Sequence, residues 1–217
     1  YGISIGSGVR FGVVSDSSVD GARGGVVVGS TKSLVRRLTV RNLSATSPTE
    51  AVMMTGGFNL VDGVDAENVT GGVTFLGNDN VVRNVHIATG SGEAFRFTSG
   101  PRNLLVDAHA STVTWGATLD NGADGNVLVR VRVSNCSRYG FEVRSSGNLF
   151  VDVEASNTGN GGLVLLAPNN RVLGGTFVGA GVGAGQSAGT VMMAVTSAHT
   201  LDGAGLSFGT SRNNDLA

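Results

Sequence analysis

The stretch Gly140-Phe-Glu-Val-Arg-Ser-Ser-Gly-Asn148-Leu-Phe-Val-Asp-Val-Glu-Ala155 contains two short runs in which apolar and polar residues alternate, separated by a Ser/Gly corner that ends in asparagine. Alternation at period two is the pattern of a half-buried strand, sending Phe141 and Val143 to one side and Glu142 to the other. The phrase returns along the chain. Asn59, Asn80, Asn103, Asn126, Asn148 and Asn170 recur at gaps of 21, 23, 23, 22 and 22 residues. Two positions after each stands an apolar residue (Val61, Val82, Leu105, Leu128, Phe150, Val172), and small or apolar residues recur five and seven positions on. A fixed period in the twenties with strand alternation predicts a solenoid of stacked coils.

A second strand precedes each asparagine and usually opens with glycine: Gly72-Val-Thr-Phe, Gly116-Ala-Thr-Leu, Gly162-Leu-Val-Leu, with Ala94-Phe-Arg-Phe as a variant. The register reaches upstream through Ala51-Val-Met-Met and Gly25-Val-Val-Val to Gly2-Ile-Ser-Ile. Helical periodicity is absent, and the β-branched and aromatic bias favours strand. The expectation is an all-β solenoid of about nine coils of about 22 residues, each of two or three strands joined by Gly/Asn/Ser corners.

The phrase G-[IF]-x-[VL]…N-x-[IV] resembles the repeat of the right-handed parallel β-helix family, the pectate-lyase-like superfamily. The likeness is clear over residues 1–177 and looser over 178–217, within a single β-helix domain. It implies that the asparagines form a buried ladder of stacked amides. A second series nine residues on, Asn42, Asn68, Asn135 and Asn157, is expected to turn inward in the same way, which would deny glycosylation to the sequons that begin at Asn42, Asn68 and Asn135. Arg138-Tyr-Gly-Phe-Glu-Val-Arg144 is similar to the catalytic segment of mannuronan C5-epimerases and alginate lyases. Tyr139 matches and Glu142 matches in part. Where that family continues Asp-Pro-His, this chain has Glu142-Val143-Arg144, and the family's further aspartate falls on Leu166. The resemblance implies an extracellular or cell- or virion-surface setting.

Composition narrows the function classes. One domain accounts for 217 residues, 41% of them hydrophobic and 14% charged. A net charge of −1 without a basic, aromatic-interleaved patch argues against nucleic acid. No apolar run approaches the ~20 residues of a membrane span. The single cysteine, Cys136, excludes an internal disulfide and reads as a small packed residue. The chain enters directly in the repeat register at Tyr1, so we expect a piece of a longer protein, with uncapped coils open to end-to-end or lateral self-association.

Two columns on the strand after each asparagine are expected to face solvent. The position four residues on reads Gly63, Asn84, Asp107, Arg130, Asp152, Gly174; the position six on reads Asp65, His86, His109, Arg132, Glu154, Thr176. As a uronate-lyase or epimerase site, His109 would be the base and Asp107 its orienting neighbour. Arg132 and Arg130 would clamp the substrate carboxylate, with His86, Asp152 and Glu154 lining the site. A glycosidase would use Asp152 and Glu154. As a charge-balanced surface, the same rows would alternate in sign to avoid repulsion. An acidic polysaccharide is therefore the expected ligand, and a non-catalytic tail-spike, adhesin or surface-filament segment is the alternative. No cofactor is expected: Asp120-Asn-Gly-Ala-Asp124-Gly125 looks like the start of a calcium loop but lacks its closing glutamate. The glycine run at 179–185 reads as a loop, and His199 is expected to take the next ladder position, one enlarged loop after Asn170.

Overall fold

The computed structural model describes residues 1–44, 49–179, 182–184, 189–198, 206–208 and 215–216. Two ten-stranded parallel sheets make the solenoid. The first contains β1 (Ile3–Ile5), β3 (Val26–Val28), β5 (Glu50–Met54), β7 (Gly71–Phe75), β9 (Glu93–Phe97), β11 (Trp115–Leu119), β13 (Tyr139–Val143), β15 (Gly161–Leu165), β17 (Val182–Ala184) and β19 (Leu206–Phe208). The second contains β2 (Val13–Asp20), β4 (Leu34–Arg41), β6 (Leu60–Glu67), β8 (Val81–Ile87), β10 (Leu104–Ser111), β12 (Val127–Ser134), β14 (Leu149–Ser156), β16 (Arg171–Val178), β18 (Val191–Ala198) and β20 (Asp215–Leu216). Each strand pairs with the strand two further along the chain, so every coil lies on the one before it. No helix occurs among the described residues.

The register stacks like on like. Leu105 pairs with Leu128, Leu128 with Phe150 and Phe150 with Val172, all fully buried. Phe75 and Phe97 stack face to face with ring centroids 4.1 Å apart, and Phe141 meets Phe150 and Phe177 edge-on. This inward column supplies most of the stability through burial of apolar area.

Left-handed residues set the coil's shape. They recur at three places in each turn: just before the ladder asparagine (Phe58, Asp79, Arg102, Asn169), four residues after it (Asn84, Asp107, Arg130, Asp152) and nine after it (Asn42, Asn68, Asn135, Asn157). Each bends the chain, giving a three-sided coil. The middle bend divides every long strand in two. At β10 and β12 the pairing passes from Val106 with Val129 to Ala108 with Val131, leaving Asp107 and Arg130 out of the ladder. Asp107, His109, Arg130 and Arg132 face solvent as expected, with position four on an elbow and position six beyond it.

The two asparagine series also differ. Asn59 to Asn170 are buried. Each side-chain oxygen in the next coil accepts from the backbone N–H of the asparagine before it, from Asn59 N to Asn80 Oδ1 at 3.0 Å through Asn148 N to Asn170 Oδ1 at 2.9 Å. The amide nitrogens of Asn103, Asn126, Asn148 and Asn170 donate to carbonyls three residues earlier. Direct amide-to-amide bonds, each 3.1 Å, join Asn59 to Asn80, Asn80 to Asn103 and Asn148 to Asn170. The second series is exposed at left-handed corners, with φ of 52° or 53°. The inward orientation expected of Asn42, Asn68, Asn135 and Asn157 is thus corrected, and it gives no ground for discounting their sequons. Asparagine suits that surface corner because its short polar side chain tolerates the left-handed region.

The C-terminal strands keep the register. β18 pairs with β16 through Arg171–Val191 and Val172–Met192, which sets the fully buried Thr190 where Asn170 stands one coil earlier. Threonine therefore takes the position assigned to His199, with no enlarged loop. His199 itself lies outside the described residues.

Candidate functional site

The histidine–arginine patch straddles the elbow. On the bend, Arg130 donates from Nε and Nη2 to both carboxylate oxygens of Asp107, at 2.6 and 2.8 Å. This guanidinium holds the Asp107 carboxyl below its usual range and raises Arg130 in return. Beyond the bend, Arg132 Nε lies 3.2 Å from Glu154 Oε2, and His86 Nδ1 lies 3.1 Å from Asp65 Oδ1. The His86 and His109 rings are 5.6 Å apart. Burial, then the neighbouring His86 and Arg132, push His109 below its ordinary pKa, so it is neutral at pH 7. Asp107 is bound to Arg130 rather than to His109, and both arginines already have carboxylate partners. Asp152 is exposed and forms no ion pair among the described residues.

Coil-to-coil pairs continue below this patch: Asp16 with Arg37 on the bend, and Asp62, one residue before it, with Arg83 and with Asn84. Where Gly63 interrupts the row, a shallow groove of about 380 Å³ opens, lined in part by Arg37, Thr39, Asp65 and His86.

A second cluster stands on the outer face of the first sheet. Arg96, Thr118 and Glu142 are register partners on β9, β11 and β13 and point away from the core. Thr118 and Glu142 are nevertheless only 3% and 7% exposed. Neighbouring side chains, Arg144 among them, therefore cover them. Arg144 Nη2 donates to Glu142 Oε1 at 2.5 Å and Nη1 lies 3.4 Å from Asp120 Oδ1. Arg96 Nε donates to Asp120 Oδ2 at 3.2 Å. Trp115 and Tyr139 open β11 and β13, and the Arg138 guanidinium lies over the Trp115 ring at 4.9 Å. Thr118 Oγ1 is buried without a hydrogen-bond partner, a property shared among the described residues by Thr158 Oγ1. Such an atom costs stability unless something satisfies it. Sequence reasoning had Tyr139 and Glu142 through the Tyr-Gly-Phe segment. It missed Trp115, whose only signal is its place one coil before Tyr139.

Cys136 is buried, with its thiol pushed up to about 11 by desolvation, which makes it a poor nucleophile. The calcium-like segment has its carboxylates engaged: Asp120 with Arg96 and Arg144, and Asp124 Oδ1 accepting from Ser146 N–H. Among the described residues no cluster of three His, Cys, Asp or Glu side chains is arranged to hold a metal. No helix among them is long and apolar enough to cross a membrane. Compared with family models, curated proteins and solved structures, the chain matches none.

Proposed function

We propose that this chain is a polysaccharide-binding β-helix, with the glycan lying across the outer face of the first sheet. The observation that carries the reading is a pair of polar groups on that face, a nearly buried Glu142 and an unpartnered Thr118 hydroxyl, on the strands that Tyr139 and Trp115 open. Sugar rings stack on aromatic faces while carboxylates and hydroxyls bond their hydroxyl groups, a division of labour common to concave ligand sites. Arg138, which forms no ion pair among the described residues, favours an acidic sugar, while Arg96 and Arg144 are held by Asp120 and Glu142. In this reading the His109 patch is a flanking surface. Its neutral imidazole suits a general base, yet a substrate carboxylate would have to displace Asp107 and Glu154 from Arg130 and Arg132.

A structural shaft is the second reading, and one observation favours it. Carboxylates and arginines on and beside the bend neutralise each other coil by coil, as on a solvated surface with no ligand to serve.

Calorimetry against uronate and neutral oligosaccharides separates the two. Binding weakened about tenfold or more in both Trp115→Ala and Glu142→Gln, with melting temperatures retained, is the expected result. Absence of binding to every oligomer, or unchanged affinity in both variants, leaves the shaft. Growth of the unsaturated-uronate absorbance, abolished in His109→Ala, would add lyase chemistry to binding.

A further inference from the structure

The outward positions of the second sheet divide sharply at the elbow. Beyond it, the sixth position after each asparagine is polar on every coil from Asp65 to Thr176. Before it, the first and third positions on β10, β12, β14, β16 and β18 are Leu104 and Val106, Val127 and Val129, Leu149 and Val151, Arg171 and Leu173, Val191 and Met193. Only Arg171 is charged. Earlier coils carry polar residues at the third position: Ser15, Arg36, Asp62 and Arg83. The apolar residues are partly exposed, Met193 at 45%. A parallel sheet apolar on both faces is one that is covered on both faces.

We propose that this face packs against the same face of a second copy of the chain, with the two solenoid axes antiparallel. Three properties select a second copy. First, the face is a flat array of ridges at the pitch of stacked strands, about 4.8 Å, and another parallel coil of the same pitch can interdigitate with it over its whole length. Second, size sets the strength. Five coils by two outward positions make a face roughly 25 Å by 10 Å, and with its rim this removes on the order of 500 Å² from each copy. The total falls near the lower bound of about 1,000 Å² for specific interfaces, so the dimer is weak and concentration-dependent.

Third, the charges at the elbow fit. A two-fold axis parallel to the strands and midway between β12 and β14 sets Val127 opposite Leu149 of the second copy and Val129 opposite Val151. It also brings Arg130, whose acidic neighbours in its own chain are Asp107 and Asp152, beside the second copy's Asp152, and repeats that contact by symmetry. Arg171 falls opposite Leu104 near the edge, where its stem covers the leucine and its guanidinium reaches water.

Sedimentation velocity from about 1 µM to about 500 µM tests the proposal. Wild type is expected to pass from monomer to dimer. A Val129→Gln/Val151→Gln double variant is expected to dissociate at least about tenfold more readily, with its thermal melt retained because both side chains face outward and no like charges are stacked. Thr176→Glu, beyond the elbow, is expected to dimerise like wild type. Asp152→Lys should weaken the dimer at low salt, the loss shrinking as salt rises. A wild type that stays monomeric throughout the range overturns the proposal, as does a trimer or a dimer indifferent to the double variant. A dimer unaffected by Asp152→Lys overturns the antiparallel register.

Discussion

At the residue scale the two asparagine series make the instructive contrast. Each series keeps one place in the coil, yet one is buried and the other stands in water. Asn148 serves buried backbone groups: its oxygen accepts from Asn126 N–H and its amide donates to Ser145 O, which also accepts from Asn170. Asn148→Leu is therefore expected to lower stability by about 1–3 kcal/mol in urea unfolding, because buried polar groups lose their partners. Asn157→Gly, at an exposed left-handed corner, is expected to stay within about 0.5 kcal/mol. Equal losses in the two variants would show that burial does not separate the series. The glycines three residues before the ladder are as tightly placed. A Cβ on Gly77 would lie 1.9 Å from Gly56 O, and one on Gly100 2.0 Å from Gly77 O. The coils touch there backbone to backbone, so Gly77→Ala is expected to cost about 1–3 kcal/mol as overpacking, read by the same unfolding curve.

At the scale of the strand, the elbow decides what the charged side chains can do. Arg130 and Asp107 lie at the bend and face each other across coils, while His109 and Arg132 belong to the segment beyond it. The pH dependence follows from the direction of each shift. Arg37 and Arg130 hold Asp16 and Asp107 below their ordinary values, so the unfolded chain binds protons first as pH falls. Their contribution is complete above the unfolded aspartate pKa of about 3.9 and is lost as pH falls through the folded value. His109 is also depressed, which for a base means that the folded state resists the charged form. Folding is therefore opposed increasingly as pH drops below about 6.5. Melting curves are expected to show two declines, one through the histidine window and one at acid pH, and His109→Gln should remove part of the first. A stability curve flat from pH 7.5 to about 5, identical in that variant, would contradict the assigned environment. The alternation of charge from coil to coil was legible in the sequence; the bend was not, since a left-handed arginine or aspartate leaves no compositional mark of the kind glycine does.

For the whole molecule, each coil contacts only its neighbours, which makes the solenoid quasi-one-dimensional. Damage should then stay local. Hydrogen exchange in Asn148→Leu is expected to accelerate over β12 to β16 while β4 and β6 keep their protection, and uniform acceleration would mean that the coils unfold as one unit. The sequence by itself determined the all-β solenoid, its coil length and its inward column, because strand alternation and a fixed period are local properties that repetition amplifies. Val61, Val82, Leu105, Leu128 and Phe150 could be read as stacked before any coordinates existed, and they are. Tertiary structure alone decided which outward positions share a face. Backbone sign at the bends parts Asp107 from His109, neighbouring side chains cover Glu142 and Thr118, and the elbow separates an apolar side from a polar one on the same strands. Those outcomes depend on φ and on neighbours a full coil away, and no single coil's residue pattern carries either quantity.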